Sequence, residues 1–504
     1  MSSTTGVNMN MLSFKLEDNI AAIKRALGNS GDIKYRELQI NGHEAPPVSG
    51  VIVYVDGLSE LQTMIHSLLT GILADRTFPG AIQLLEHCKM RVISEGDVAD
   101  VLLFDDLFDH LLSGNSILML EGSAKALSVG TKQLKARSVE EPTVQSVVRG
   151  PREGFTEVLR WNTAMLRRKI NDRNLWMETM KVGKVTKTEV AIVYLKGIAR
   201  EQLVDDVRSR IKEIDIDGVL ESNYIEEHIQ DKRKTTFPTV FNSERPDVIA
   251  AGLMEGRVAI MVDGTPFALQ VPALFSQFFQ SSEDYYQRTD FATLIRLLRF
   301  LALALATITP SVYIAVTTFH QEMLPTTLLY NLTSQREGVP FPAFIEALVM
   351  EVTFEILREA SVRMPKTIGQ AISIVGTLVV GQAAVEAGLV SAAMVIVVSV
   401  TAISNFVIPA FNMGISARIV RFFLMFLSAT FGLFGMFIGL IMIVSHLCSL
   451  RSMGVPYMAP VAPFYGSDQK DTLLRLPIKH MFKRPKSLKP LDPIRQSRKK
   501  QNQE

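Results

Sequence analysis

Apolar positions in this chain keep two rhythms. In the first half they come as short β-branched runs, each followed by a polar turn and then by apolar residues three and four apart. VIVYV at Val51–Val55 is one such run, and DGLSELQTMIHSLL follows it. That order predicts strand, turn and amphipathic helix. After Asp290 the runs lengthen and lose their polar interruptions. Phe300–Phe319, FLALALATITPSVYIAVTTF, carries no charge over 20 residues, enough to cross a hydrocarbon core of about 30 Å at about 1.5 Å per residue. Pro310 near its middle predicts a kink.

The strand–turn–helix pattern occurs twice. IVYVDG at Ile52–Gly57 returns as IVYLKG at Ile192–Gly197. LLSGNSILMLEGSAKALSV at Leu111–Val129 returns as LMEGRVAIMVDGTPFALQV at Leu253–Val271. Each copy has a glycine stop (Gly114, Gly256), an apolar strand and an acid–glycine turn (Glu121-Gly122, Asp263-Gly264). The expected fold is therefore an α/β soluble region of two similar lobes, followed by an all-α multi-pass transmembrane domain. The boundaries fall at 1–145 and 146–285 for the lobes, 286–450 for the helices and 451–504 for a basic tail.

Past Gln321 the pattern turns amphipathic. In FIEALVMEVTFEILREASVR, Glu351, Glu355 and Glu359 repeat every four residues on one face, and Glu359 reaches Arg363. Two readings stand for this helix near 341–363: an interfacial helix with a solvated acidic face, or acids around an outer pore mouth. Thr367–Phe411 is right for two passes, about Thr367–Ala387 and Ser391–Phe411, with Gly388 as terminator and Ser391 as N-cap. Glu386, the one charge between Lys366 and Arg418, then falls at a turn on the inner boundary. A fourth pass, about Phe422–Ser445, holds Gly435-x-x-x-Gly439, a close-packing signal. Arg288, Arg296, Arg299 and the tail, with 12 Lys/Arg against 4 Asp/Glu, mark the inside. Arg418 and Arg421 conflict with that count, because four passes put them outside.

Composition adds little. The charge is +2, and the two cysteines, Cys88 and Cys448, offer neither a disulfide framework nor a zinc spacing. The first residues lack the pattern of a signal peptide. No phosphate-loop lysine motif, GxGxxG, HExxH or GxSxG is present, so no catalytic residue, cofactor or metal is assigned and the chain is not expected to be an enzyme. Asp56 and Asp263 read as turn and capping acids rather than a catalytic pair. His87-Cys88 reads as packing. The helix over 154–170, with Arg160, Arg167, Arg168 and Lys169, lacks an aromatic platform for nucleic acid and reads as a solvated or subunit-facing surface.

Several long stretches in order carry a resemblance: RGPREGFTEVLRWNTAMLRRKI, GVLESNYIEEHIQD, ERPDVIAAGLMEGRVAIMVDGTPFALQVPALFSQFFQSSEDYY, PFPAFIEALVMEVTFEILREASVRMP, SIVGTLVVGQAAVEAGLVSAAMVIVV and LRSMGVPYMAPVAPF. From about Val144 to Phe464 the chain resembles the A-subunit family of spore germinant receptors, the GerA family; a related branch, the stage V sporulation AF-type proteins, shares these motifs. The resemblance implies a multi-pass protein of the inner membrane of the bacterial endospore, with N- and C-terminal regions on the core side. It implies a transporter-like B subunit and a lipoprotein C subunit as partners. It also implies a homo-oligomer, a pentamer, that acts as a nutrient-gated channel for monovalent cations. A non-conducting scaffold role in a germination complex is the alternative. In a ring of such subunits one helix faces water, and Thr367–Ala387 is the candidate. Gln370, Ser373, Gln382 and Glu386 are its polar positions, Val379 and Val385 a hydrophobic constriction.

Overall fold

The computed structural model describes residues 11–40, 47–74, 80–132, 142, 145, 147–231, 234–363 and 381–496. They divide into two compact units. One takes Met1–Gln230, Val240–Pro272 and Met481–Glu504; the other takes Asp231–Thr239 and Ala273–His480.

The first unit holds the two lobes, and the duplication extends to hydrogen-bond register. Lobe one has α1 (Leu16–Ala26), β1 (Ile33–Ile40), β2 (Val48–Val55), α2 (Gln62–Ala74), α3 (Ala81–His87), β3 (Val98–Val101), α4 (Phe104–Leu112), β4 (Ser116–Leu120) and β5 (Ala126–Val129). Lobe two has α5 (Leu159–Lys169), β6 (Leu175–Val182), β7 (Thr188–Leu195), α6 (Glu201–Lys212), α7 (Ser222–Ile229), β8 (Phe241–Ser243), α8 (Pro246–Met254), β9 (Val258–Val262) and β10 (Ala268–Val271). The sheets run β1-β2-β4-β5-β3 and β6-β7-β9-β10-β8, antiparallel at every described pairing. Val51 faces Met119 in the first and Ala191 faces Met261 in the second.

Strand side chains alternate between faces, and here both faces are buried. Val51, Val53, Val55, Ile117 and Met119 pack with α1 and α4. Ile52, Leu118 and Leu120 pack with α2 and α3. The central strands β4 and β9 are buried at every position, which is why they read as unbroken apolar runs.

The acid–glycine turns do a second job. Glu121 accepts from the Leu16 backbone N–H at 2.8 Å, and Asp263 accepts from that of Leu159 at 2.9 Å. Each carboxylate caps the first helix of its own lobe from over a hundred residues away, where the helix N-terminus favours negative charge. Asn19 and Asn162 close the same corner by bonding Ser13 and Thr156. The sequence signal, SFKLEDN against TEVLRWN, is too short to stand out without the fold.

The second unit is helical: α9 (Glu283–Tyr286), α10 (Thr289–Thr318), α11 (Thr326–Arg336), α12 (Ala343–Arg363), α13 (Ala392–Val407) and α14 (Phe411–Ser449), with residues 381–386 also helical. By length and composition, α10 and α14 are long and apolar enough to cross a membrane. Pro310 sits inside α10. Ser391 caps α13 as expected, accepting from the Met394 N–H.

The single pass expected over about Phe422–Ser445 needs correcting. Gly432 leaves helical geometry with φ 61° and ψ −145°, and α14 folds there into two antiparallel arms. A Cβ on Gly435 would lie 2.3 Å from the Leu427 carbonyl oxygen, and one on Gly439 would lie 2.7 Å from Leu424 Cδ2. At the open end, Ser416 donates to the Thr236 carbonyl and His446 meets the Thr235 hydroxyl, neighbours on one short segment. The GxxxG spacing thus packs one arm on the other.

The expected basic tail also divides. Residues 451–480 belong to the helical unit, where Arg296 donates to Asp471 at 2.9 Å. Residues 481–496 return to lobe two, where Arg484 donates to the Met254 carbonyl at 2.8 Å.

Candidate functional site

Charged groups inside an apolar bundle are costly, so they mark function or a fixed junction. Among the described residues the helical unit has three such places, and α12 connects two of them.

At one end, Glu346 is fully buried. Its Oε1 accepts from the Ser391 N–H at 2.6 Å and from the Ser391 hydroxyl, which also meets the Tyr313 hydroxyl at 3.1 Å. Its Oε2 has no hydrogen bond among the described residues and lies 3.8 Å from Arg336 Nε. Beside it, Thr317, Gln321, Tyr330, Thr333 and Arg336 line a cavity of about 400 Å³.

Five residues further along α12, Glu351 is also fully buried, 3.1 Å from the Arg421 guanidinium. Glu355 takes both Arg418 and Arg421. Arg358 lies over the rings of Phe406 and Phe411. Glu359, exposed, pairs with Arg363 at 2.6 Å. The acidic row is therefore not an evenly solvated face. Two of its three acids turn inward onto the first arm of α14, the partners that sequence spacing within α12 cannot show.

The third place is the start of α10. Asp284 is buried between Arg296 and Arg299, at 3.1 and 2.8 Å. Arg475 donates to Thr289 at 2.8 Å. These arginines, expected as marks of the inner surface, are bonded within the unit.

Glu386 is exposed and accepts from Gln382 Nε2 at 2.9 Å, so the four-residue spacing does put both on one face. Val385, beside them, is half-buried. Gln370, Ser373 and Val379 lie outside the described residues. The end of the bundle differs from expectation. A Cβ on Gly388 would lie 3.2 Å from the Gly338 carbonyl, and Ser391 meets Tyr313 and Glu346. Glu386 therefore sits at the end where α10 finishes, away from Arg296 and Arg299. Between the two, α12 runs from Glu346 at that end to Glu355 beside Arg418.

In the lobes the basic helix is neither solvated nor subunit-facing throughout. Arg167 is buried and forks onto Asp32 through Nε at 3.0 Å and NH2 at 3.2 Å. Arg160 meets Asp56 at 2.8 Å, while Arg168 and Lys169 hold Glu153. Cys88 is buried, and burial pushes its thiol up to about 11, consistent with packing. In α7, burial and then the Glu221 charge push the Glu226 carboxyl up to about 7, against partial relief from Asn242 and Gln230. Glu221 itself caps α7 through the Asn223 N–H and accepts from Thr265. Among the described residues no three His, Cys, Asp or Glu side chains are placed to hold a metal ion.

A family model described as Bacillus/Clostridium GerA spore germination protein matches residues 21–487. Spore germination protein KA of Bacillus subtilis (strain 168) is 49% identical over 97% of this chain and 89% of its own length. Spore germination protein A1 of the same organism is 36% identical over 94% of this chain and 96% of its own. Spore germination protein GerLA of Bacillus cereus is 36% identical over 93% and 95%. A crystal structure of the N-terminal domain of the A subunit of the Bacillus megaterium spore germinant receptor GerK3 covers 53% of this chain and 97% of that chain, at 38% identity and a TM-score of 0.41.

Proposed function

The chain belongs to the GerA family of spore germination proteins, and from that premise we propose that it is the A subunit of a germinant receptor whose helical unit, repeated around a homo-oligomer, lines a path for monovalent cations. The transporter-like B subunit and lipoprotein C subunit implied by the family are its partners in the endospore inner membrane.

One observation carries the conducting role: Gln382 and Glu386 form a hydrogen-bonded polar pair on an exposed face of an otherwise apolar helix end. Such a pair facing lipid is unfavourable. Facing a shared axis it is hydrated, and a ring of carboxylates favours cations. With the pass Thr367–Ala387 defined by sequence, α10, α12, that pass, α13 and the two arms of α14 make six traverses. Six keeps both soluble ends on one side. It also brings Arg418 and Arg421 to the Arg296 side and removes the conflict with the basic-residue rule. Glu386 then lies at the outer mouth rather than the inner one.

The test is nutrient-triggered cation release from spores in which this chain supplies the only A subunit. Glu386→Gln is expected to lower release several-fold or shift the preference among cations, and Val385→Ala to raise basal leak. Wild-type release and selectivity in both variants, at equal protein level, would remove the pore assignment and leave the scaffold role.

A further inference from the structure

The internal repeat forms one interface inside the chain and leaves the matching helix and turns exposed among the described residues, with Leu491 bonded to the Ile198 carbonyl beside them. In lobe one, the turns Gly28–Asp32 and Asp56-Gly57 dock on α5 and β6 of lobe two. Gly31 donates to the Met177 carbonyl at 2.8 Å. Arg167 holds Asp32 and Arg160 holds Asp56. A Cβ on Gly57 would lie 2.8 Å from the Arg160 carbonyl oxygen, so glycine permits this approach.

Shared hydrogen bonds fix which residues correspond. Asp56 donates its backbone N–H to the Asp32 carbonyl, as Lys196 does to that of Asn174. Leu16 and Leu159 begin the capped helices. By that register Glu17 stands where Arg160 stands, Ala21 where Ala164 stands, and Lys24 where Arg167 stands. Lys196 and Gly197 match Asp56 and Gly57.

Three differences follow. Ala164 and Arg167 are buried, whereas Ala21 and Lys24 are exposed. Gly57 is buried, whereas Gly197 keeps the same backbone, φ 83° against 84°, with nothing within 4 Å of its Cβ position. The charge pair is exchanged: inside the chain the acid is on the turn (Asp56) and the base on the helix (Arg160), and at the exposed surfaces the base is on the turn (Lys196) and the acid on the helix (Glu17). The exposed Asp172 beside Asn174 likewise offers Lys24 a carboxylate.

We propose that a second copy of this chain docks there head to tail, the Asn171–Asn174 and Lys196-Gly197 turns of one copy seated on α1 and β1 of the next. The contact that joins the two lobes within a chain is then repeated between chains, with its outer charge pair reversed. Lys196 now pairs with Glu201 at 2.6 Å and lies 5.2 Å over the Trp176 ring, and Arg173 pairs with Asp105 at 3.5 Å; both ion pairs are exposed, so exchanging them is cheap. An interface between unlike surfaces generates rings when the rotation closes, rather than two-fold dimers. The proposal rests on the oligomeric reading above.

The experiment uses the full chain in lipid nanodiscs or detergent, sized by mass photometry. Glu17→Lys or Lys196→Glu alone is expected to lower the oligomer-to-monomer ratio about tenfold, and the double reversal to restore it. In a Cys448→Ser background, co-expressed Glu17→Cys and Lys196→Cys copies are expected to form disulfide-linked dimers that neither variant forms alone. An oligomer of wild-type size in both single reversals, with no cross-link, overturns this interface and leaves the oligomeric channel standing. A wild-type chain that stays monomeric overturns both.

Discussion

Two buried ion pairs divide the molecule by purpose. Between the lobes, Arg167 uses Nε and NH2 on Asp32 and NH1 on the Asp172 carbonyl. Its positive charge is fully bonded in a forked geometry, the arrangement that fixes position best. In the helical unit, Arg421 lies 3.1 Å from Glu351, yet neither Glu351 oxygen nor Arg421 Nε has a hydrogen bond among the described residues. Glu346 keeps one oxygen unbonded in the same way. A fully bonded pair has one low-energy arrangement. A half-bonded pair leaves room for a second, and the gated bundle proposed above requires bistable elements. In the channel proposed above, the lobes hold a geometry and these half-bonded acids are the groups whose pairing changes on gating.

The largest expected effect breaks the pair in the lobes. Arg167→Met leaves Asp32 buried without its cation and should cost about 3–5 kcal/mol of lobe stability. Both tryptophans of the chain, Trp161 and Trp176, lie in lobe two, so their fluorescence during thermal unfolding reads that unit alone. Arg421→Met should leave this signal unchanged while altering cation release. A stable Arg167→Met lobe would refute the division.

A second pair of acids sharpens the comparison by pH. Burial and Glu221 hold the Glu226 carboxyl near 7, above its ordinary 4.5. The folded state then binds the proton more tightly than the unfolded state, so stability falls as pH rises from about 4.5 to about 7 and levels off above. Glu226→Gln should flatten that slope and make lobe two up to about 2–3 kcal/mol more stable at pH 8. The tryptophan melt at pH 5 and pH 8 measures both. Asn242 and Gln230 bond the carboxyl from β8 and from the end of α7, so an unchanged slope would mean that these bonds already keep the charged form.

What the sequence made legible depends on range. The duplicated strands, the glycine turns and the Ser391 cap are local, so period and composition revealed them. The lobe–lobe pair joins residues 135 positions apart, and Asp32 carries no local mark that it faces an arginine. The α14 hairpin was hidden because Gly432 in an apolar run looks like any membrane glycine; only its positive φ reverses the chain. One signal was available. Arg418 and Arg421 conflicted with a four-pass count, and on α12 Glu351 had no cation three or four residues away in the chain. Each anomaly was the other's explanation.

The smallest expected effect tests that row of acids. Glu351, Glu355 and Glu359 share a spacing, yet they are buried, shared between two arginines, and exposed, in that order. Glu359 and Arg363 form an exposed i,i+4 pair, which contributes about 0.3–0.5 kcal/mol and is screened by salt. Glu359→Ala should therefore shift unfolding of the helical unit by no more than that, lose even this difference in high salt, and leave cation release unchanged. Glu355→Ala, which strips Arg418 and Arg421 of a shared partner, should change release under the same conditions. Equal effects from the two would mean that the inward turn of α12 has no bearing on gating, and that the row acts as a uniform acidic face after all.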